Sequence, residues 1–467
     1  MQSRRDQVQA YFFVVGRMIA AVTHGRPDAL VQPNRRSSTG VVIGMLIAAL
    51  ICGIFFIYGL FVPGGNTAWR TPGTVIAAEE TGARYLLLDG QLRPVLNYAS
   101  ARLAGAAPGP VTSVSVASLV GAPTGSPIGI PGAPDSIPAV KDLDVGPWSV
   151  CTLPAGRAGS SAPQLTVLVG RSGGRPLDDA RGVLVASPDG TRHLLWQGRR
   201  YRIPSAETVQ VLGYDAVTPV SVPAGWLDTV PAGRDLGVPP TEGAGTPGPI
   251  VGGRPTLVGQ VLTVGSPALE SEQLYLLRAD GVSPISTSVA ALLLADPASA
   301  PAYPGGPPEP VPIGQAALAD LPVSRGTDLA AGLPESPPAA AAPSSDSVPC
   351  ARNTPGPAGV TTTIELRDRS EVDAGSAVVA ARAPGVAADR VSFPTGGGVL
   401  VRDQGAEAAG TFLVTETGTR FPIADDAALT GLGYQGAPVT ALPGSMLDLL
   451  PMGPVLSTTA ARAEAGA

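Results

Sequence analysis

Residues 41–62, VVIGMLIAALICGIFFIYGLFV, run for twenty-two positions without a charge. At about 1.5 Å rise per residue, a helix over this run covers roughly 33 Å, enough for a hydrocarbon core of about 30 Å. A helix buried in a soluble core is seldom apolar on every face over such a length. A cleaved leader has a shorter apolar stretch, fewer residues ahead of it and a small-residue cleavage site. Here forty residues precede the run, and Pro63-Gly64-Gly65 follow it. The run reads as an uncleaved transmembrane anchor, and the rest of the chain must fold on one side or the other of a bilayer.

Charge sets the expected orientation. Residues 1–40 carry Arg4, Arg5, Arg17, Arg26, Arg35 and Arg36 against Asp6 and Asp28, a net charge of +4. The whole chain is −6, which leaves −10 beyond residue 40. Arg35 and Arg36 stand just ahead of the anchor, where a basic bias marks the cytoplasmic side. The N-terminus is expected in the cytoplasm and about 400 residues outside it, in a single-pass protein of the inner (cell) membrane. Within the short inner piece, Val8, Tyr11, Phe12, Val15, Met18, Ile19 and Val22 recur at three- and four-residue steps, the mark of an amphipathic helix. Ser3 and Asp6 resemble its capping box. Such a helix either lies on the inner leaflet of the lipid bilayer or docks on a partner.

The outer region is too long for one core and is expected to split into modules. Its acidic balance, with no basic stripe, excludes nucleic acid as a partner. Cys52 falls inside the anchor, where a small apolar filler suffices. Cys151 and Cys350 are alone in the outer region, and such a pair in an oxidising compartment most often bonds together. That bond closes a very long loop, worth at most roughly 5 kcal/mol by chain entropy. A metal site is the weaker reading, because two sulfurs without nearby histidines complete no tetrahedron.

The region also repeats. Residues 198–231 and 418–451 align without gaps at a constant offset, with identities at Gly198/Gly418, Arg200/Arg420, Leu212-Gly213-Tyr214/Leu432-Gly433-Tyr434 and Leu227-Asp228/Leu447-Asp448. Internal duplication is the reading. Each copy should run as a strand, an x-Gly turn (Gln197-Gly198, Thr417-Gly418), a second strand and a short helix. Ser205 and Asp425 stand at the N-cap of that helix, and Gly213 and Gly433 at its left-handed end. The pattern recurs more loosely around Asp89-Gly90 and Asp280-Gly281.

Four units follow, at 83–134, 183–240, 259–325 and 398–457. Segments 135–182 and 326–397 form one discontinuous centre joined by the cysteines, with strands at Gln164–Val169 and Thr361–Leu366. Residues 63–82 are expected as a linker, 458–467 as a flexible tail, and Pro301–Pro312 and Pro334–Pro349 as poorly ordered loops. The expected fold is thus one N-terminal transmembrane helix and an elongated, mostly β (α+β) outer domain.

Catalytic and cofactor chemistry is hard to find. No phosphate-cradling Gly-x-x-x-x-Gly-Lys-Ser/Thr occurs, and the sole lysine is Lys141. His24 is on the inner side, and His193 lies in a strand-like run without a nucleophile-elbow motif. The acid pairs Glu79-Glu80 and Asp425-Asp426 have ordinary structural readings. We expect no catalytic, cofactor-binding or metal-binding residues.

Together these features resemble the EccB family, a membrane component of the type VII (ESX) secretion system of mycobacteria and other actinobacteria. The resemblance rests on Ser3-Arg4-Arg5-Asp6-Gln7-Val8-Gln9-Ala10-Tyr11, the single anchor, Leu88-Asp89-Gly90, Pro94-Val95-Leu96-Asn97, Ser100-Ala101-Arg102-Leu103, Gly129-Ile130-Pro131-Gly132-Ala133-Pro134 and Trp148-Ser149-Val150-Cys151. It implies a structural subunit beside an FtsK-like motor ATPase and other ESX membrane subunits, self-associating outside the cytoplasm and contacting a mycosin protease. The segments 296–312 and 334–347 are longer than the family pattern. Members are often labelled ATPases, so an ATP-binding hydrolase is the runner-up. A cell-wall-binding repeat protein is a third reading.

Overall fold

The computed structural model describes residues 4–25, 33–61, 66–105, 111–143, 146–155, 162–266, 271–374, 387–405 and 410–465. Ser3, Pro63-Gly64-Gly65 and the side chains of Arg26, Asp28, Arg35 and Arg36 lie outside what is described. The chain divides into two compact units, Met1–Leu92 with Gly109–Gly125 and Arg93–Pro108 with Ser126–Ala467.

The first unit opens with a helix over Arg4–His24 and a second over Pro33–Phe61. Within the latter, Ser38–Gly59 is long and apolar enough to cross a membrane and buries nothing against the protein. After it come strands β1 (Val75–Ala78), β2 (Arg84–Leu88), the start of β3 (Gln91–Val95) and β4 (Thr112–Val114). Residues 63–82, expected as a linker, therefore hold the first strand of a sheet. Val75–Ala78 is only four residues long and follows a Thr-Pro-Gly turn, so its pattern is too short to read alone. Trp69, Ile76, Leu92 and Val114 form the core of this unit.

The second unit continues with β5 (Trp148–Leu153), β6 (Gln164–Val169) and β7 (Arg175–Pro176), then β8 (Arg181–Ala186), β9 (Arg192–Trp196), β10 (Arg199–Ile203) and β11 (Val220–Ser221). Next are β12 (Val261–Ser266), β13 (Ser271–Arg278), β14 (Gly281–Ile285), β15 (Val311–Pro312) and β16 (Ala339–Ala340). β17 (Ser347–Gly356), β18 (Gly359–Asp368), β19 (Arg390–Ser392), β20 (Gly398–Asp403), β21 (Thr411–Thr415), β22 (Arg420–Pro422) and β23 (Thr440–Leu442) complete the set.

Four of the sheets have one topology. Their orders are β3-β2-β1-β4, β10-β9-β8-β11, β14-β13-β12-β15 and β22-β21-β20-β23. In each, the fourth strand runs parallel to the first. A helix intervenes between third and fourth strands: Tyr98–Ala104, Ala206–Val211, Thr287–Ala295 and Asp426–Leu432. Each helix has a side-chain N-cap, from Asn97, Ser205, Ser286 and Asp425, which satisfies an otherwise orphaned N–H. The fifth sheet, β19-β6-β5-β17-β18-β7, has the antiparallel β5–β17 pair at its centre.

Three stretches are more ordered than their composition suggests. The Pro/Ala-rich segments contain the 3-10 helix Pro297–Ala302, β16 and the start of β17. The expected tail carries a helix, Thr458–Arg462, with Ala461 buried. A proline lacks a donor but still packs, and here short strands at sheet edges accommodate it.

Candidate functional site

β5 and β17 lie side by side and antiparallel, with Cys151 directly opposite Cys350. Their sulfurs are bonded at 2.05 Å, and neither residue is exposed to solvent. Cys52, in the apolar helix Pro33–Phe61, is the free cysteine. Leu153, Leu168, Val348 and Val372 seal the bridge.

Glu365 is opposite Cys350 on the next strand, so it shares that face of the sheet. Its Oε1 accepts from Ser149 Oγ at 3.0 Å and from Arg367 Nε at 2.6 Å. Arg367 spends its other donors on the carbonyls of Arg171, Ser172 and Gly173. The side chains of Glu365 and Arg367 are 0% and 1% exposed, so each neutralises the other in a dry environment. A carboxylate held in this way through Oε1 is a structural element of the sheet. The opposite face joins a large core of Trp148, Val150, Ile364 and Trp226, whose Nε1 donates to the Val150 carbonyl.

The repeated residues have matching tasks. Arg200 pairs with Asp228 at 2.9 Å and Arg420 with Asp448 at 3.0 Å. Gly198 and Gly418 have left-handed φ values of 70° and 75°. A Cβ on Gly198 would collide with the Thr362 carbonyl, and one on Gly418 would lie 2.8 Å from the Val391 Cβ. Both hairpin turns thus press against the central sheet. Tyr214 Oη donates to the Pro338 carbonyl and Tyr434 Oη to that of Pro138, each at 2.8 Å and each buried. Burial pushes both phenols well above their ordinary range. Each tyrosine holds the chain where it enters the centre from a different sheet.

His193 sits in β9 opposite Val185 and Arg202. Burial, then the Arg200 charge, lowers its pKa, and its Nδ1 has no hydrogen-bond partner among the described residues. Glu80 accepts from the Val116 N–H at 2.7 Å, and Asp425 from that of Ala428 at 2.8 Å, so both acid pairs include a capping group. Among the described residues no cluster of three or more His, Cys, Asp or Glu could hold a metal. A cavity of about 530 Å³ is lined by Glu242, Leu276, Arg278, Asp280 and Thr327, with Arg278 donating to the Thr327 carbonyl. The Glu365–Arg367 lock and the tyrosine ties were not singled out from sequence. The alternation Ile364-Glu365-Leu366-Arg367 and the repeated Leu-Gly-Tyr were the signals available.

A family model described as "Type VII secretion system ESX-1, transport TM domain B" matches residues 1–467. The chain belongs to this family, EccB. The ESX-3 secretion system ATPase EccB3 of Mycolicibacterium smegmatis is 31% identical over 97% of this chain and 89% of its own length. The ESX-5 secretion system ATPase EccB5 of Mycobacterium marinum is 30% identical over 99% and 93%. Among solved structures, a chain of an intact ESX-5 inner membrane complex matches with TM-score 0.70 and 26% identity, covering 100% of this chain and 96% of that one. A chain of the EccB3 dimer from the ESX-3 core complex matches with TM-score 0.66 and 29% identity, covering 84% and 100%. In EccB terms, the bridged centre and its flanking sheets belong to a chain whose relatives were solved within membrane assemblies.

Proposed function

We propose that this chain is a structural membrane subunit of a type VII secretion complex, organising the part of that complex that lies outside the cytoplasm. The observation that carries the reading is the likeness, over the full chain, to a subunit of an ESX inner membrane complex. On this reading Ser38–Gly59 anchors the chain with its basic N-terminus in the cytoplasm. The four like sheets are copies of one unit, and segments 135–182 and 326–397 form a separate disulfide-bridged centre. An FtsK-like motor ATPase and other ESX membrane subunits are its neighbours, with self-association and a mycosin contact outside. A relative solved as a dimer supports the self-association.

The relatives carry the word ATPase in their names, which makes ATP hydrolysis the second reading. Against it stand the missing phosphate loop and a single lysine in Pro138-Ala139-Val140-Lys141-Asp142. A wall-binding repeat protein has no need of the exposed apolar helix at Arg4–His24, whereas a complex subunit does.

The test is gentle detergent extraction of the tagged full chain, mass spectrometry of what co-purifies, and an ATPase assay on the purified chain alone. Recovery of an FtsK-like ATPase and multi-pass membrane proteins with an inert chain supports the subunit reading. A solitary chain that hydrolyses ATP, and loses this on a point substitution, overturns it.

A further inference from the structure

The first unit contains an uncharged outer segment close in sequence to the end of the apolar helix, with the Glu80 carboxylate at one end of it. Residues 111–125, VTSVSVASLVGAPTG, carry no charge. Their short helix, Val116–Leu119, packs Leu119 toward the core of Trp69, Ile76 and Leu92. Val116 and, one turn on, Val120 therefore share the outer side, and they are 41% and 79% exposed. Val111 adds a third exposed position.

Chain length limits how far this surface can be from lipid. Only residues 62–65 separate the helix end at Phe61 from Asn66. Five residue steps reach at most about 18 Å, whereas the headgroup layer beyond the hydrocarbon is about 5–7 Å deep. Asn66 Nδ2 donates to the Ser113 carbonyl at 3.5 Å, so the tether enters beside this segment. From Ser113 to Val120 is at most about 16 Å, three extended residues and one helical turn.

We propose that Val116 and Val120 rest in the headgroup layer of the bilayer and fix the tilt of the first unit on its anchor. The occupant is the lipid interface: an uncharged, serine- and valine-bearing face matches a zone that accepts both apolar carbon and hydroxyl groups. The Glu80 carboxylate is held by the Val116 N–H, and it keeps this end at headgroup depth and out of the hydrocarbon. The inference rests on reading Ser38–Gly59 as membrane-spanning.

The experiment uses the full chain in phosphatidylcholine–phosphatidylglycerol vesicles, with an environment-sensitive fluorophore on one cysteine. The native chain, labelled at Cys52, reports the anchor itself. Cys52→Ala with Val120→Cys reports the proposed contact. Cys52→Ala with Val323→Cys, a site 75% exposed in the second unit, is the water-facing reference. Doxyl-lipid quenching at position 120 is expected to exceed that at 323 by about two-fold or more, with a blue shift. Equal quenching at 120 and 323, with Cys52 strongly quenched, overturns the lipid contact and leaves the anchor standing. A blue shift at 120 without lipid quenching means that a second copy covers the surface, which also overturns it. An unquenched Cys52 removes the anchor, and the proposal with it.

Discussion

Two helix joints in the second unit are built by different chemistry. Where Tyr98–Ala104 meets Asp426–Leu432, the contact is made by small residues and arginines. Ala99, Ala101, Ala104 and Ala428 are fully buried, Arg102 Nε donates to the Gly431 carbonyl at 3.3 Å, and Arg462 Nε donates to that of Ala104 at 3.0 Å. Guanidinium groups at the carbonyl ends of helices satisfy orphaned acceptors and complement the helix dipole. Where Ala206–Val211 meets Thr287–Ala295, the contact is apolar, with Val209, Leu212, Val289, Leu292 and Leu293 in one cluster. One topology therefore tolerates two solutions, provided that backbone ends are satisfied in the first and side chains interlock in the second.

The central bridge joins β5 and β17 across a sequence separation of 199, so its loss belongs with the largest effects. Cys151→Ser is expected to destabilise the outer region by about 2–5 kcal/mol, read as a shift of the denaturation midpoint. Reduction of the wild type should alter its gel mobility, and an unchanged band would remove the bridge from the account. Leu293→Ala breaks the apolar joint at a residue 1% exposed and should cost about 2–5 kcal/mol. Arg102→Leu keeps volume but strips the Gly431 carbonyl of its partner, at about 1–3 kcal/mol. Measuring the last two in one denaturation series tests the comparison: an Arg102 effect larger than that of Leu293 would reverse the assignment of which joint is the stronger.

The joints also separate what the sequence displays from what it hides. Helices capped by Ser205 and Asp425, their glycine ends and the x-Gly turns were legible because each is a local rule about backbone donors or positive φ. The cysteine pairing was legible from compartment and count. The strand Val75–Ala78 was not, because four residues carry too little periodicity. The helix Thr458–Arg462 read as a free tail because its stability is tertiary: Ala461 and Arg462 matter only once Ala104 lies opposite. Glu365 and Arg367 alternate with Ile364 and Leu366, a pattern that does not by itself show a charged face to be buried. Only the loop at Arg171–Gly173, distant in sequence, turns that side inward.

Smaller effects sharpen the comparison. Tyr214→Phe and Tyr434→Phe each remove one hydrogen bond to a proline carbonyl, Pro338 or Pro138. Each should cost about 0.5–1.5 kcal/mol if the two ends of the centre are tied alike. A large inequality between them would show that one entry point is held by other contacts.

The smallest expected effect distinguishes two sheets that share the duplicated sequence. Strand β9 has His193 opposite Arg202 where β21 has Phe412 opposite Pro422, and Phe412 packs half-buried against the large core. Burial and the nearby Arg200 disfavour the imidazolium, so the folded-state pKa lies below the ordinary histidine value. Between the folded and unfolded pKa values the unfolded chain binds more protons, so stability is full above about pH 6.5 and declines as pH falls through the folded value. His193→Phe, the substitution that copies the other sheet, should flatten this acid-side slope and leave stability at pH 7.5 unchanged or slightly raised. Denaturation midpoints of both proteins from pH 7.5 to 5 provide the check. Parallel profiles would place the acid sensitivity elsewhere and leave the two sheets equivalent in their response to protons.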